Sequence, residues 1–150
     1  MRNVYDILKE RGFVAQVTDE KLVREAVSKT ITCYIGFDPT AKSLHIGSLL
    51  PIMSLAHMQR QGHRPLAVVG GGTALVGDPS GKDEARPVMS REEIDSNAEA
   101  IKKQLSQFLE FRDGKALMVN NADWLVPLNY IDFLREIGRH FSVNRMLAKE

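Results

Sequence analysis

Tyr34-Ile35-Gly36-Phe37-Asp38-Pro39-Thr40-Ala41-Lys42-Ser43-Leu44-His45-Ile46-Gly47-Ser48 is the stretch whose reading decides the fold. It opens as a strand, because Ile31, Thr32, Cys33, Tyr34 and Ile35 are β-branched, aromatic or small apolar residues. It breaks at Gly36 and at Asp38-Pro39, where proline fixes its own φ and drives its predecessor out of the helical region. After Ser48 a helical pattern begins with Leu49, Ile52 and Met53 and continues through Leu55, Ala56 and Met58. A strand, a glycine-bearing turn and a helix N-terminus together present free backbone N–H groups to an anion. Thr40 and His45 lie in that turn and add a hydroxyl and a donor or cation. The residues alone therefore predict a phosphate or nucleotide cradle. Ser48 is expected as the N-cap, which puts Pro51 in the first turn, where its missing N–H has no intrahelical partner.

Upstream, residues 2–11 predict a short amphipathic helix with Val4, Tyr5, Ile7 and Leu8 on its apolar side, stopped by Gly12. A second helix starts at Thr18 or Asp19 and carries Leu22, Val23, Ala26 and Val27. Downstream, Gly62 ends the helix after the cradle, and Pro65-Leu66-Ala67-Val68-Val69-Gly70 is an apolar run suited to a buried parallel strand. This makes one right-handed β-α-β unit. Gly70 to Met89 predicts a long functional loop with at most one short helix. Ser90-Arg91-Glu92-Glu93 is a capping box opening a helix with the stripe Ile94, Ala98, Ile101, Leu105, Phe108 and Leu109. Ala116 to Val119 predicts a third strand, ended by Asn120 and Asn121. A helix follows from about Pro127 with Ile131, Phe133, Leu134 and Ile137, and Ser142 can cap one more.

The fold class expected is α/β: the N-terminal half of a doubly wound, Rossmann-like parallel-sheet nucleotide-binding domain, preceded by a short helical arm. Residues 1–30 form the arm, and residues 31–150 the first half of a domain expected to continue beyond residue 150. The chain has 150 residues, 43% of them hydrophobic, which suits one ordinary domain. Lys and Arg number 20 against 19 Asp and Glu, so bulk charge neither supports nor opposes a nucleic-acid partner. Cys33 is the only cysteine, so no disulfide can form within the chain. Charges at Arg2, Asp6, Lys9, Glu10 and Arg11 exclude a signal-peptide core at the N-terminus, and no apolar run approaches the ~20 residues of a membrane helix. A cytoplasmic location with no membrane partner is expected.

Five segments also carry a resemblance. Tyr34 to Gly47 resembles the first signature of bacterial tyrosyl-tRNA synthetases, class I enzymes whose signature ends His-Ile-Gly-His. The likeness continues through Gly62-His63-Arg64-Pro65, Gly77-Asp78-Pro79-Ser80-Gly81-Lys82, Asn120 to Trp124 and His140 to Asn144. Each segment is short, but their common order spans nearly the whole chain. The family's second signature, a Lys-Met-Ser-Lys-Ser-type loop, is absent. The resemblance therefore implies an N-terminal piece of a longer catalytic domain, inactive by itself.

The resemblance implies roles residue by residue, beside plainer readings. Tyr34 alternates with Cys33 and Ile35 and so reads as a core tyrosine; the family places this hydroxyl on the substrate phenol. Asp38 reads as a turn residue; in the family this stretch, with Gly36, lies under the α-phosphate. Thr40 and His45 resemble the pair that grips the terminal phosphates of ATP. Gly47 leaves room for adenine against the helix backbone. Asp78 reads as a turn aspartate or, by resemblance, as the carboxylate that receives the tyrosine ammonium, with Gly70 and Thr73 lining the same pocket. Lys82 and Arg86 are solvated charges or mobile cations over the leaving pyrophosphate. Asn121 and Trp124 align with pocket-flanking residues, although Trp124 also fits a core anchor. His57, His63 and His140 read as structural. Two positions depart from the family: Ile35 stands where some relatives have cysteine, and Ser48 replaces the second histidine of the signature. The serine puts one nucleotide contact of the signature in doubt.

The implied activity is a tyrosine–tRNA ligase, with L-tyrosine, ATP and tRNA as partners and a homodimer as the assembly. Mg²⁺ would accompany ATP, with no metal held by the protein itself. Two rivals stand beside it. One is a non-catalytic RNA-binding or structural factor on the same scaffold, which Ser48 and the missing lysine-rich loop would fit. The other is the related tryptophanyl enzyme, which should not place a hydrogen-bonding tyrosine at position 34.

Overall fold

The computed structural model describes residues 2–77 and 89–148. Asp78, Lys82 and Arg86 lie outside the described residues. Three strands form one parallel sheet in the order β1 (Thr32–Phe37), β2 (Arg64–Val69), β3 (Leu117–Asn120). The register runs from Thr32 opposite Arg64 to Phe37 opposite Val69, and from Leu66 opposite Leu117 to Val69 opposite Asn120. Helix α3 (Leu49–Arg60) links β1 to β2, and α5 (Arg91–Leu105) lies between β2 and β3. Right-handed crossovers that step the same way across a sheet place their helices on the same face. Ile52, Leu55 and Ala56 of α3 accordingly share one core with Ile101 and Leu105 of α5, against Phe37 and Ala67. Cys33, Ile35 and Met118 point to that side, and burial raises the pKa of the Cys33 thiol.

The opposite face is open among the described residues. Tyr34 is 73% exposed and Leu117, two strands away in register, is 56% exposed. The core reading of Tyr34 is therefore corrected. Strand alternation puts its side chain on the sheet face that no described helix covers.

Local chemistry explains most boundaries. Ser90 accepts from the Glu93 N–H while the Glu93 carboxylate accepts from the Ser90 N–H, so the capping box is complete. Helix α5 buries Ile94, Ala98, Ile101 and Leu105 but ends there. Phe108, expected on the same stripe, falls beyond the last helical turn and is exposed. Helix α1 (Val4–Glu10) is capped by Asn3 and α2 (Glu20–Ala26) by Asp19. Arg24 joins the two through bonds of 2.6 and 3.2 Å to the Asp6 carboxylate. Val4 and Tyr5 are buried.

Beyond β2 the chain forms α4 (Gly71–Val76) at once, a short helix of the kind the reading of Gly70 to Met89 allowed. Helix α6 (Ala122–Leu125) follows β3 directly and has no counterpart in the sequence reading. The helix expected from Pro127 is α7 (Tyr130–Glu136), capped by Asn129, and Ser142 caps α8 (Val143–Leu147). No helix among the described residues is long and apolar enough to cross a membrane.

Two buried histidines make stability pH-dependent. Burial holds the imidazoles of His57 and His63 below the ordinary value of 6.5, and Arg11 and Arg60 push His57 the same way. His63 Nδ1 also accepts from the Ile31 N–H at 3.3 Å. The unfolded chain binds these protons more readily. Stability present above pH 6.5 is therefore lost as pH falls through and below that value. Thermal melts between pH 7 and pH 5, as about the working range, should show a falling melting temperature, and His57→Phe should flatten part of the slope. In the core, Leu105 is fully buried. Leu105→Ala should cost about 2–5 kcal/mol in urea unfolding at neutral pH.

Candidate nucleotide site

All strands of a parallel sheet end at the same edge, and ligands of open α/β sheets gather outside that edge. Here the edge is sewn together by short bonds. Gly70 N–H donates to the Phe37 carbonyl and Asn121 N–H to the Val69 carbonyl, each at 2.9 Å. The Asn121 carboxamide oxygen accepts from the Gly72 N–H at 2.7 Å, capping α4 from a neighbouring strand end. Asn120 Oδ1 accepts from the Ala122 N–H at 3.0 Å and thereby starts α6.

These approaches leave no space for a side chain on Gly71 and little on Gly72. A Cβ on Gly71 would lie 2.8 Å from Asn120 Nδ2, and one on Gly72 would lie 3.2 Å from Asn121 Oδ1. Thr73 Oγ1 donates to the Gly70 carbonyl at 2.9 Å.

At the end of β1 a cleft of about 470 Å³ opens, lined by Gly36, Asp38, Thr40, His45, Gly47 and Ser48. Gly36, Asp38, Thr40, His45, Gly47 and Ser48, all expected near ATP, thus border one cavity, while Lys82 and Arg86 lie outside the described residues. Thr40 and His45 are exposed, and Ser48 is half-buried. A single turn of 3₁₀ helix, Ile46–Ser48, precedes α3 and is capped by His45: its Nδ1 accepts from the Gly47 N–H at 3.0 Å. That bond leaves Nε2 as the ring nitrogen carrying the proton in neutral imidazole, available to an incoming anion. A Cβ on Gly47 would stand 2.8 Å from His45 Cε1, so the glycine makes room for the ring.

The capping role expected of Ser48 is corrected. Ser48 has helical dihedrals (φ −71°, ψ −14°) and makes no side-chain cap bond. The 3₁₀ turn has already begun at Ile46, so the cap position moves back to the residue with extended backbone, His45.

The residues expected around an amino-acid pocket are more scattered. Thr73 lines an apolar cavity of about 910 Å³ together with Gly72, Leu125, Val126 and Tyr130. Asn121 has its carboxamide oxygen engaged by α4. Trp124 is 47% exposed, so it is not a core anchor among the described residues. Tyr34 lines neither cleft. Among the described residues no group of three or more His, Cys, Asp or Glu is arranged to hold a metal ion.

The sequence reading missed three carboxamides, Asn97, Gln104 and Asn120. Asn97 alone left a signal, a polar residue three after Ile94 on a face that should be apolar, and it is 5% exposed.

The profile of tRNA synthetases class I (W and Y) matches residues 26–150. The chain belongs to this family. A tyrosine–tRNA ligase of Syntrophus aciditrophicus is 63% identical over 150 residues, all of this chain and 35% of the relative. One from Acetivibrio thermocellus is 61% identical over 151 residues, covering 37% of its length. The chain thus spans about a third of the length of the curated relatives it matches. A C-terminally truncated mitochondrial tyrosyl-tRNA synthetase of Aspergillus nidulans superposes with TM-score 0.85 at 26% identity, covering 100% of this chain and 46% of that one. The tyrosyl-tRNA synthetase of Archaeoglobus fulgidus, solved with L-tyrosine, has TM-score 0.66 at 19% identity, covering 87% of this chain and 38% of that one. This last likeness concerns the fold alone. The α/β, Rossmann-like parallel sheet expected from the sequence is the fold observed.

The site's mechanical needs differ sharply between neighbouring residues. Ser48→Ala should change unfolding free energy by less than about 0.5 kcal/mol, because no cap bond is lost. Gly71→Ala should cost about 1–3 kcal/mol, because Asn120 and the start of α6 must shift. Urea titration of both variants checks the pair.

Proposed function

We propose that the protein carrying these residues is a tyrosine–tRNA ligase, activating L-tyrosine with ATP and passing the tyrosyl group to the 3′-terminal adenosine of its tRNA. The observation that carries this reading is the cleft at the end of β1, which gathers Gly36, Asp38, Thr40, His45, Gly47 and Ser48. Support for tyrosine over tryptophan comes from Tyr34 and from relatives at about 60% identity over the whole of this chain, each a tyrosine–tRNA ligase.

The chemistry asks for positioning and charge stabilisation more than for a covalent partner. A tyrosine carboxylate oxygen bonds to the α-phosphorus as the bond to the β-phosphate bridging oxygen breaks, giving tyrosyl-adenylate and pyrophosphate. The tRNA hydroxyl then attacks the mixed anhydride, releasing AMP. His45 Nε2–H and the Thr40 hydroxyl donate to the phosphates that leave, where negative charge grows. Backbone at Gly36 and Asp38 faces the α-phosphate, and adenine lies over Gly47. Lys82 and Arg86 supply further positive charge to the pyrophosphate, and Mg²⁺ enters with ATP. Asp78 receives the tyrosine ammonium and Tyr34 the phenol, with Gly70, Thr73, Asn121 and Trp124 around them. The assembly is a homodimer in the cytoplasm.

Tyrosine-dependent exchange of labelled pyrophosphate into ATP by the full-length protein tests the activity. No exchange with tyrosine, alongside intact RNA binding, would favour the non-catalytic scaffold instead. Tyr34→Phe should lower the ratio of kcat/KM for tyrosine over phenylalanine with little change in the KM for ATP. A site that loses a polar partner no longer penalises the analogue lacking the hydroxyl; tyrosyl-tRNA synthetase is the known example of that rule. An unchanged ratio removes Tyr34 from the specificity pocket.

A further inference from the structure

We propose that Asn97 and Gln104 of α5 are positioning residues for the nucleotide cradle, two carboxamides that clamp the 39–44 segment at both ends and so set where Thr40 and His45 stand. The inference rests on the proposed activity for its kinetic consequence, and on geometry alone for the clamp.

Asn97 Nδ2 donates to the Pro39 carbonyl at 2.9 Å. Gln104 Oε1 accepts from the Leu44 N–H at 2.9 Å, and Gln104 Nε2 donates to Ser43 Oγ at 3.0 Å. The orientation of each carboxamide is dictated by its partner, since a carbonyl only accepts and an N–H only donates. Ser43 Oγ in turn donates to the Leu44 carbonyl at 3.1 Å, which closes a small network around the end of the segment.

Seven residues separate Asn97 from Gln104, two turns of helix and about 10 Å of rise, so both project from the same face. Their spacing on α5 therefore sets the span between Pro39 and Leu44. Thr40 follows one anchor directly, and His45 follows the other. Between the anchors, Thr40, Ala41 and Lys42 arch outward and are exposed. The arch has fixed feet.

The feet stand on the buried core. Ile94, Ala98, Ile101 and Leu105, which flank the two carboxamides on α5, are buried, and Ile101 and Leu105 belong to the sheet core. Pro39 is fully buried and Asn97 nearly so. A buried carbonyl needs a donor, and Asn97 supplies it. Core packing is thereby transmitted to an exposed phosphate-facing loop through three hydrogen bonds, the arrangement a site needs when catalysis is mostly placement.

The test uses the full-length protein with Gln104→Leu and Asn97→Ala, and two independent readouts. In the first, amide hydrogen exchange without ligand, Gln104→Leu should speed exchange of the Leu44 N–H about tenfold, as loss of one hydrogen bond does. Gln104→Glu, which keeps an acceptor for that N–H, should retain the protection. In the second, both substitutions should lower kcat of tyrosine-dependent pyrophosphate exchange about ten- to hundredfold while the KM for tyrosine stays within about twofold. A merely structural role would lower the melting temperature and leave kcat of the folded fraction unchanged, which overturns the proposal. Equal protection of Leu44 in wild type and Gln104→Leu overturns it too. A wild type inactive in pyrophosphate exchange defeats the proposed activity, and the hydrogen-exchange comparison then decides the clamp by itself. If Gln104→Leu does not fold, Asn97→Ala decides the same question through the kcat of the folded enzyme, and an unchanged kcat overturns the proposal.

Discussion

The rest of the structure depends on the parallel pairing of β2 with β1 on one side and β3 on the other. Parallel strands all end at one edge, and there each chain must find partners for backbone groups that the ladder no longer serves. The bonds from Gly70 N–H to Phe37, from Asn121 N–H to Val69 and from Gly72 N–H to the Asn121 carboxamide are this protein's solution. They draw the segments after all three strands close together. The glycine at 71 follows from that closeness, because Asn120 occupies the space its side chain would need, and Leu125 and Asn121 crowd Gly72. What looks in the sequence like a loop rich in conformational freedom is a tightly fitted joint.

Within this joint two levels of support hold the cradle. His45 is held locally by its own backbone, through the Gly47 N–H. The segment before it is held at a distance by α5. The first fixes the ring's tautomer, and the second fixes where the ring stands. Neither requires a charged side chain: both supports use backbone groups, an imidazole nitrogen and neutral carboxamides. Dependence on hydrogen bonds also makes the geometry sensitive to small errors, since a buried carboxamide that loses its partner costs more than it contributes when paired.

The open sheet face is the counterpart of the covered one. Burial of α3 and α5 on one side leaves Tyr34 and Leu117 exposed on the other. The chain spans about a third of its relatives' length, and a sheet covered on one face only is unusual for parallel strands. Tyr34 sits at that uncovered face, while Thr40 and His45 sit at the strand ends. The amino-acid and nucleotide parts of the proposed reaction thus belong to different sides of β1.

Local chemistry alone determined much of this protein. Proline, glycine, the β-branched run at 31–35 and the Ser90 capping box are instructions each residue carries with it, and the strands and main helices lie within a few residues of where those instructions put them. The lining of the cleft at the end of β1 was legible for the same reason: Gly36, Asp38, Thr40, His45 and Gly47 are close in sequence and border one cavity. Ser48 shows the limit of such reading. Its residue type is right for a cap, yet the 3₁₀ turn moved the cap back to His45. Asn97, Gln104 and Asn121 were decided only by tertiary structure. Their partners lie 58, 60 and 49 residues away; a polar residue on an apolar face flags Asn97 as buried, but no local pattern names a partner that distant. Periodicity reports which face of a helix is apolar, whereas a long-range hydrogen bond exists only once the sheet has brought its two ends together.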